Sequence, residues 1–228
     1  QWLRMPMGLK NSGSCFQRLM EKVFVDMNLV DLIVFLDDIL VHGRTLPELE
    51  DKTIAALERL RKYKLKLDAK KCIFGASEVR HLGFVISREG VRPDPEKVRA
   101  LKDYPVPKTV RDVKAFLGFT GFFRRMVPHF HQVAKPLYDL TAGYVPAKSR
   151  RGKKKPKTPV LSLSSDISDQ WGEAHQRAFD TLIKLLSEEP VIGIADKNLP
   201  FELHCDASGY GGGAWLYQHE RGILRVIA

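Results

Sequence analysis

Residues 32–43, LIVFLDDILVHG, set two adjacent aspartates inside an apolar run, and no other stretch constrains the fold as much. Leu32, Ile33, Val34, Phe35 and Leu36 lead into Asp37 and Asp38, and Ile39, Leu40 and Val41 lead out. An ionised carboxylate buried without a partner is so costly that it takes up a proton instead. Either side of the pair the residues are β-branched or aromatic, which favours two short strands over a helix. Successive strand side chains point to opposite faces. Two neighbouring aspartates can therefore both meet water or metal only at or near the turn of a hairpin. A strand, an Asp-Asp turn and a second strand are expected.

The chain has 228 residues, 44% of them apolar, enough for a core in one large domain or two small ones. Its net charge of +10 and pI near 9.5 favour a polyanionic partner, nucleic acid or an anionic membrane surface. No apolar stretch approaches the ~20 uncharged residues of a membrane span, and no signal peptide precedes the first helix. Cys15, Cys72 and Cys205 are odd in number and widely spaced. They read as small apolar fillers in a reducing compartment, without a disulfide framework. The expected location is intracellular, in cytoplasm, nucleus or both.

QWLRMPMGLK, residues 1–10, reads as a strand end and a turn around Pro6 and Gly8. Phe16, Leu19, Met20, Val23 and Met27 then recur at helical spacing, with Asn11 or Ser12 as N-cap. After the Asp-Asp stretch, a helix is expected from Pro47 to Tyr63, with Leu49, Ile54, Leu57 and Leu60 on one side. HLGFVISREGVRP reads as a hairpin turning at Glu89 and Gly90. A short helix is expected around Glu96 to Lys102. A second spans 109–126, opened by a TVRD capping box at Thr109, with Val110, Val113, Phe116, Leu117 and Phe123 as its apolar stripe. Residues 143–158 hold seven lysines and arginines, two prolines, two glycines and no acids, so they read as a loop or linker. A long helix from Asp169 to Leu186 carries Ala174, Ala178, Leu182 and Leu185 on one face. Finally Phe201, Leu203 and Cys205 alternate with Glu202, His204 and Asp206, before a glycine-rich turn and another strand.

The order of these segments resembles the polymerase of gypsy-type LTR retrotransposons, a branch of the retroviral reverse transcriptases. RMPMGLKNSGSCFQRLM resembles the family's Pro-x-Gly turn and palm helix, and VFLDDILVHG its catalytic hairpin, with Phe35 where the family usually has tyrosine. LKLDAKKCIFG matches the lysine-bearing segment after the next palm helix, and VRHLGFVISREGV the hairpin that grips the primer strand. VKAFLGFTGFFRRMVPHF and AKPLYDLT match the thumb and the start of the connection, and FELHCDASGYGGGAWLYQ the first hairpin of ribonuclease H. Two adjacent aspartates are a weak signal by themselves, since aspartate is a common turn residue. Six segments in the family's order are a strong one, and they cover nearly the whole chain except the basic loop.

The resemblance implies an α+β fold: a partial reverse-transcriptase palm with a helical thumb and connection, followed by the first hairpin of a ribonuclease H-like domain. The implied divisions are residues 1–92 for the palm, 93–142 for thumb and connection helices, 143–168 for a basic linker, and 169–228 for a connection helix and the start of the ribonuclease H-like domain. The implied activity is RNA-directed DNA synthesis with deoxynucleoside triphosphates on an RNA/DNA primer–template. Asp37 would be a direct metal ligand and Asp38 its support, with Mg2+, or Mn2+ in its place, as the cofactor. Asp206 matches the first metal-binding carboxylate of ribonuclease H. Gln17, Lys71, Gly83, Arg124 and Arg125 fall on segments that touch nucleic acid in the family, and Lys153, Lys154 and Lys155 of the basic loop would add phosphate contacts. The family also needs a third polymerase aspartate upstream of the Pro-x-Gly turn and further ribonuclease H acids beyond Ala228. Parts of two active sites are therefore expected, neither complete.

Other readings compete for some of these residues. The helix 109–126 carries Lys114, Arg124 and Arg125 and would suit DNA reading, although its phenylalanines read as core rather than stacking platforms. The basic loop also fits a solvated run or a localisation signal. His42 and His204 read as strand-face residues, since no second histidine lies at metal-ligand spacing. A non-catalytic nucleic-acid-binding relic of a retroelement is the alternative to an enzyme.

Overall fold

A computed structural model describes residues 5–144, 161–188, 190–196, 198–208, 211–220 and 223–227. The chain forms two compact units, residues 1–77 and 78–228. This division falls before the 92/93 boundary drawn from the sequence.

In the first unit, helix α1 (Ser12–Val23) is followed by strands β1 (Leu32–Phe35) and β2 (Asp38–Val41) and by helix α2 (Leu46–Lys62). Met20, Val23, Phe24 and Met27 from α1 and the turn after it meet Leu32 and Val34 of β1 and Ala56 and Leu60 of α2. The expected caps of α1 are not made: Asn11 gives no side-chain cap, and the Ser12 hydroxyl donates back to the Leu9 carbonyl at 2.8 Å. Helix α2 does start on schedule. Thr45 accepts from the Glu48 N–H, and Pro47 sits in the first turn, where its missing donor costs nothing. Its buried side differs from expectation, however. Leu60 is buried as expected, and Ala56 with it, while Ile54 and Leu57 lie exposed.

The second unit opens with an antiparallel sheet of β3 (Glu78–His81), β4 (Phe84–Ser87) and β5 (Gly90–Pro93). The sequence suggested one hairpin here, and the structure has two, turning at Leu82–Gly83 and Arg88–Glu89. Leu82 and Gly83 both take left-handed backbone angles, φ 51° and 84°, which suits the twist of a two-residue hairpin loop. Helices α3 (Pro95–Lys102), α4 (Val110–Phe122), α5 (Phe130–Asp139) and α6 (Glu173–Ser187) form the main core with Ile167. Phe84 and Val91 pack onto that core, which is why the strands before residue 92 belong with the second unit.

The capping box of α4 is realised in both directions. Thr109 Oγ1 accepts from the Asp112 N–H at 3.3 Å, and Asp112 Oδ2 accepts from the Thr109 N–H at 2.9 Å. Helix α4 ends at Phe122 rather than 126, and Arg124–Met126 form a separate 3-10 turn. Helix α6 starts at Glu173, after a 3-10 turn over Ser168–Gln170, and buries Ala178, Phe179, Leu182 and Leu186. Ala174 is exposed. Most of the expected linker, residues 145–160, lies outside the described residues, but its end is packed structure. Ile167 is buried, and the Val110 and Arg111 N–H groups donate to Ser165 and Leu163.

The last sheet pairs β6 (Glu202–Ser208), β7 (Gly211–Glu220) and β8 (Ile223–Val226) in antiparallel order. The expected hairpin thus gains a third strand, and Gly211, Gly212 and Gly213 belong to β7 rather than to the turn. Buried Gln218 accepts from the Asp196 N–H and donates to the Asp196 and Leu199 carbonyls, at 2.8, 2.7 and 3.1 Å.

Candidate functional site

The β1–β2 register pairs Phe35 with Asp38, leaving Leu36 and Asp37 as a two-residue loop. Leu32 and Val34 point into the core, while Phe35, Asp37 and Asp38 are exposed. Asp38 therefore opens the outer face of the hairpin and Asp37 its tip, as the period-two argument required. Neither carboxylate hydrogen-bonds to another described residue, so their oxygens remain available to an ion or to water.

Gln17 holds this tip from α1. Its Oε1 accepts from the Leu36 N–H at 2.6 Å, and its Nε2 donates to the Val34 carbonyl at 3.3 Å and to Glu21 Oε1 at 3.0 Å. One amide thus spans the backbone on both sides of Phe35. Leu36 has φ 55°, a conformation that disfavours a leucine by roughly 1–2 kcal/mol, and the Gln17 bond satisfies its N–H there. Gln17 was expected to touch nucleic acid. Within the chain its side chain positions the loop that carries Asp37. Further out, Asn28 Oδ1 accepts from the Val34 N–H at 3.2 Å. Arg59 of α2 clasps Asp26 at 2.7 and 2.8 Å and donates to the Val23 carbonyl at 2.9 Å. The Arg59 hydrogen bonds hold the Asp26 carboxyl down at about 2.

Lys71 lies exposed on a 3-10 turn over Ala69–Lys71, which is capped by Asp68. In the second unit, Gly83 turns beside Phe122. A Cβ on Gly83 would lie 3.4 Å from that ring. Leu82, Gly83, Lys97, Phe119, Phe122 and Phe123 line a groove of about 320 Å³. Phe122 is 55% exposed and stacks on Phe84 with centroids 5.1 Å apart, so the α4 phenylalanines are not all core. Arg124 and Arg125 are exposed on the 3-10 turn beyond α4. Lys153, Lys154 and Lys155 lie outside the described residues.

Asp206 stands on β6 opposite Gly213. His204 was read as a strand-face residue, with no second histidine at metal-ligand spacing in the sequence. The sheet brings His204 Nε2 to 3.7 Å and His219 Nε2 to 3.3 Å from the two oxygens of Glu202, a grouping hidden by the distance between the strands in sequence. Among the described residues, no three His, Cys, Asp or Glu side chains are arranged to hold a metal ion, and no helix is long and apolar enough to cross a membrane.

Residues 1–86 match the family described as reverse transcriptase (RNA-dependent DNA polymerase), and residues 171–228 match the RNase H-like domain found in reverse transcriptase. The retrovirus-related Pol polyprotein from transposon 297 of Drosophila melanogaster is 31% identical over 219 residues, 96% of this chain and 19% of the polyprotein. That from transposon gypsy of the same fly is 30% identical over 227 residues, 99% of this chain and 21% of the polyprotein. The chain thus spans about a fifth of the length of these relatives. The foamy viral protease–reverse transcriptase dRH, solved in complex with dsDNA, matches the fold with a TM-score of 0.75 at 21% identity, covering 100% of this chain and 36% of that one. Residues 1–86 thus belong to the reverse-transcriptase family and residues 171–228 to its RNase H-like companion, joined in the order of the gypsy-type Pol polyproteins.

Proposed function

We infer that the chain is the portion of an RNA-directed DNA polymerase that presents Asp37 and Asp38 to divalent metal and tracks the backbone of a primer–template. One observation carries this reading: both carboxylates are exposed, and without a hydrogen-bond partner among the described residues, at the tip of a hairpin whose backbone is held by Gln17. Hard, partly hydrated oxygen donors suit Mg2+, and Mn2+ takes the same donors. When bound, such ions stabilise the attacking and leaving oxygens of phosphoryl transfer. The chain's own residues supply two of the ligands and hold them apart from the apolar core.

For the duplex, the Leu82–Gly83 turn, the groove beneath it and exposed Arg124 and Arg125 offer a surface that would contact sugar and phosphate without reading sequence. The foamy viral relatives were solved with dsDNA and with an RNA/DNA hybrid, and the same ligand class is assigned here. Deoxynucleoside triphosphates as substrates, the role of Asp206 as a ribonuclease H ligand, and an intracellular site of action complete the proposal.

The metal assignment is tested with Mn2+ alone. Paramagnetic broadening of the amide signals of Leu36, Asp37 and Asp38 is expected in the chain and absent in the double variant Asp37→Asn, Asp38→Asn. Equal broadening in both would overturn it. Primer extension with Mg2+ or Mn2+ tests catalysis. Because no complete three-ligand group occurs among the described residues, incorporation by this chain alone should not exceed that of the double variant. The same incompleteness favours a second reading, a nucleic-acid-binding relic without catalysis. An aspartate-bearing strand encoded upstream and further acids encoded downstream would decide for the enzyme.

A further inference from the structure

Gly90, the first residue of β5, has φ 144° and is buried. A Cβ built there would lie 2.3 Å from the Ile192 carbonyl oxygen and 2.8 Å from Val191 Cγ1. No side chain fits at either distance, and the first obstacle is backbone, which cannot swing aside. The segment that presses on Gly90 connects α6 to the β6–β8 sheet, and it is sewn to β5 by reciprocal bonds. The Val91 N–H donates to the Ile192 carbonyl and the Ile192 N–H to the Val91 carbonyl, both at 2.9 Å. At the next residue the connection passes to the other sheet: the Gly193 N–H donates to the Val226 carbonyl of β8 at 2.8 Å. Ile227 then donates to Leu216 of β7, also at 2.8 Å.

We propose that residues 191–193 form a latch that fixes the β6–β8 sheet to the β3–β5 sheet, and that Gly90 is the residue that allows it to close. A single extended segment makes backbone bonds to β5 through one residue and to β8 through the next. The strand carrying Asp206 is thereby held at a set distance from the Leu82–Gly83 turn. The functional meaning rests on the reading above, in which that turn lies against the primer strand; the latch then sets the spacing between the duplex-gripping turn and the ribonuclease H-like strand. Among the described residues, Trp215 of β7 also packs edge-on against His129, and Gln218 ties β7 to Asp196 and Leu199 of the connection; neither contact reaches β5.

Hydrogen exchange on the whole chain tests the latch. In the wild type, the amides of Val91, Ile192, Gly193 and Ile227 should open together with one common free energy, as a cooperative unit does. Independent opening of Ile192 and Ile227 would overturn the proposal without any variant. In Gly90→Ala, exchange at Ile192, Gly193 and Ile227 should accelerate at least tenfold while amides of α4 and α6 keep their protection. Unchanged exchange at those three amides would show that other contacts, such as Trp215 on His129, suffice to hold the sheet, and the latch would be wrong. If the alanine variant unfolds altogether, the wild-type measurement decides. Addition of an RNA/DNA duplex reports separately on the binding reading: protection at Leu82 and Gly83 supports it, and its absence sinks that reading while leaving the latch standing.

Discussion

Leu36 stands between an aromatic residue and the first aspartate in a backbone conformation that leucine disfavours, and its N–H would be stranded without Gln17. The two Gln17 bonds to the hairpin backbone, each contributing ~0.5–1.5 kcal/mol net, are of the same size as the ~1–2 kcal/mol cost of the left-handed leucine. Gln17→Ala should therefore free the loop more than it destabilises the unit. The Leu36 amide is expected to exchange at least tenfold faster, while amides near Leu60 in α2 stay as they were; unchanged Leu36 exchange would show that the hairpin holds its own tip. The exposure of Asp37 and Asp38 was legible because strand periodicity leaves two adjacent acids few places to go. The role of Gln17 was not. A single glutamine on a helix carries no signal for a partner 19 residues away, and only its place in a family segment marked it at all.

Local capping chemistry was readable where donor and acceptor lie three residues apart, as at Thr109 and Asp112, and Thr109→Ala should cost unit 78–228 about 1 kcal/mol in urea unfolding. The same logic misread α1, where Ser12 turned back to Leu9. It also missed α5, which holds Pro136 inside a helix, since proline removes a helical donor and normally argues against one. Strand β8 was missed because Ile223–Val226 is short and its pairing with β7 is invisible along the chain. Between α1 and α2, the Asp26–Arg59 clasp gives a pH signature. Arg59 holds the folded-state pKa of Asp26 at about 2, below its ordinary 3.8. A depressed carboxyl stabilises the fold fully above its ordinary value and loses that contribution as pH falls toward the folded one. The stability difference between wild type and Asp26→Asn should hence be constant above pH 4 and shrink between pH 4 and pH 2. A difference that does not change across that window would remove the clasp from the account.

Charge is the property of the whole molecule that most directly limits its partners. The chain carries 37 lysines and arginines against 27 acids, a net +10, and seven of those cations fall within residues 148–157, which hold no acid. Removing that segment takes the net charge from +10 to +3, since 10 − 7 = 3. A protein that neutralises Z phosphates loses affinity with a logarithmic salt slope of about −0.9Z on duplex DNA. The turn at Leu82–Gly83, Arg124 and Arg125 lie among the described residues, and the seven cations lie outside them. Deletion of 148–157 separates the two contributions. Binding of a fluorescent duplex, followed by anisotropy over a series of salt concentrations, should show the same sequence independence before and after deletion but a shallower slope after it. Each phosphate contact that the segment makes would remove roughly 0.9 from the slope. An unchanged slope would mean that the segment touches no phosphate, and would leave the folded surface around Gly83, Arg124 and Arg125 to account for the salt dependence alone.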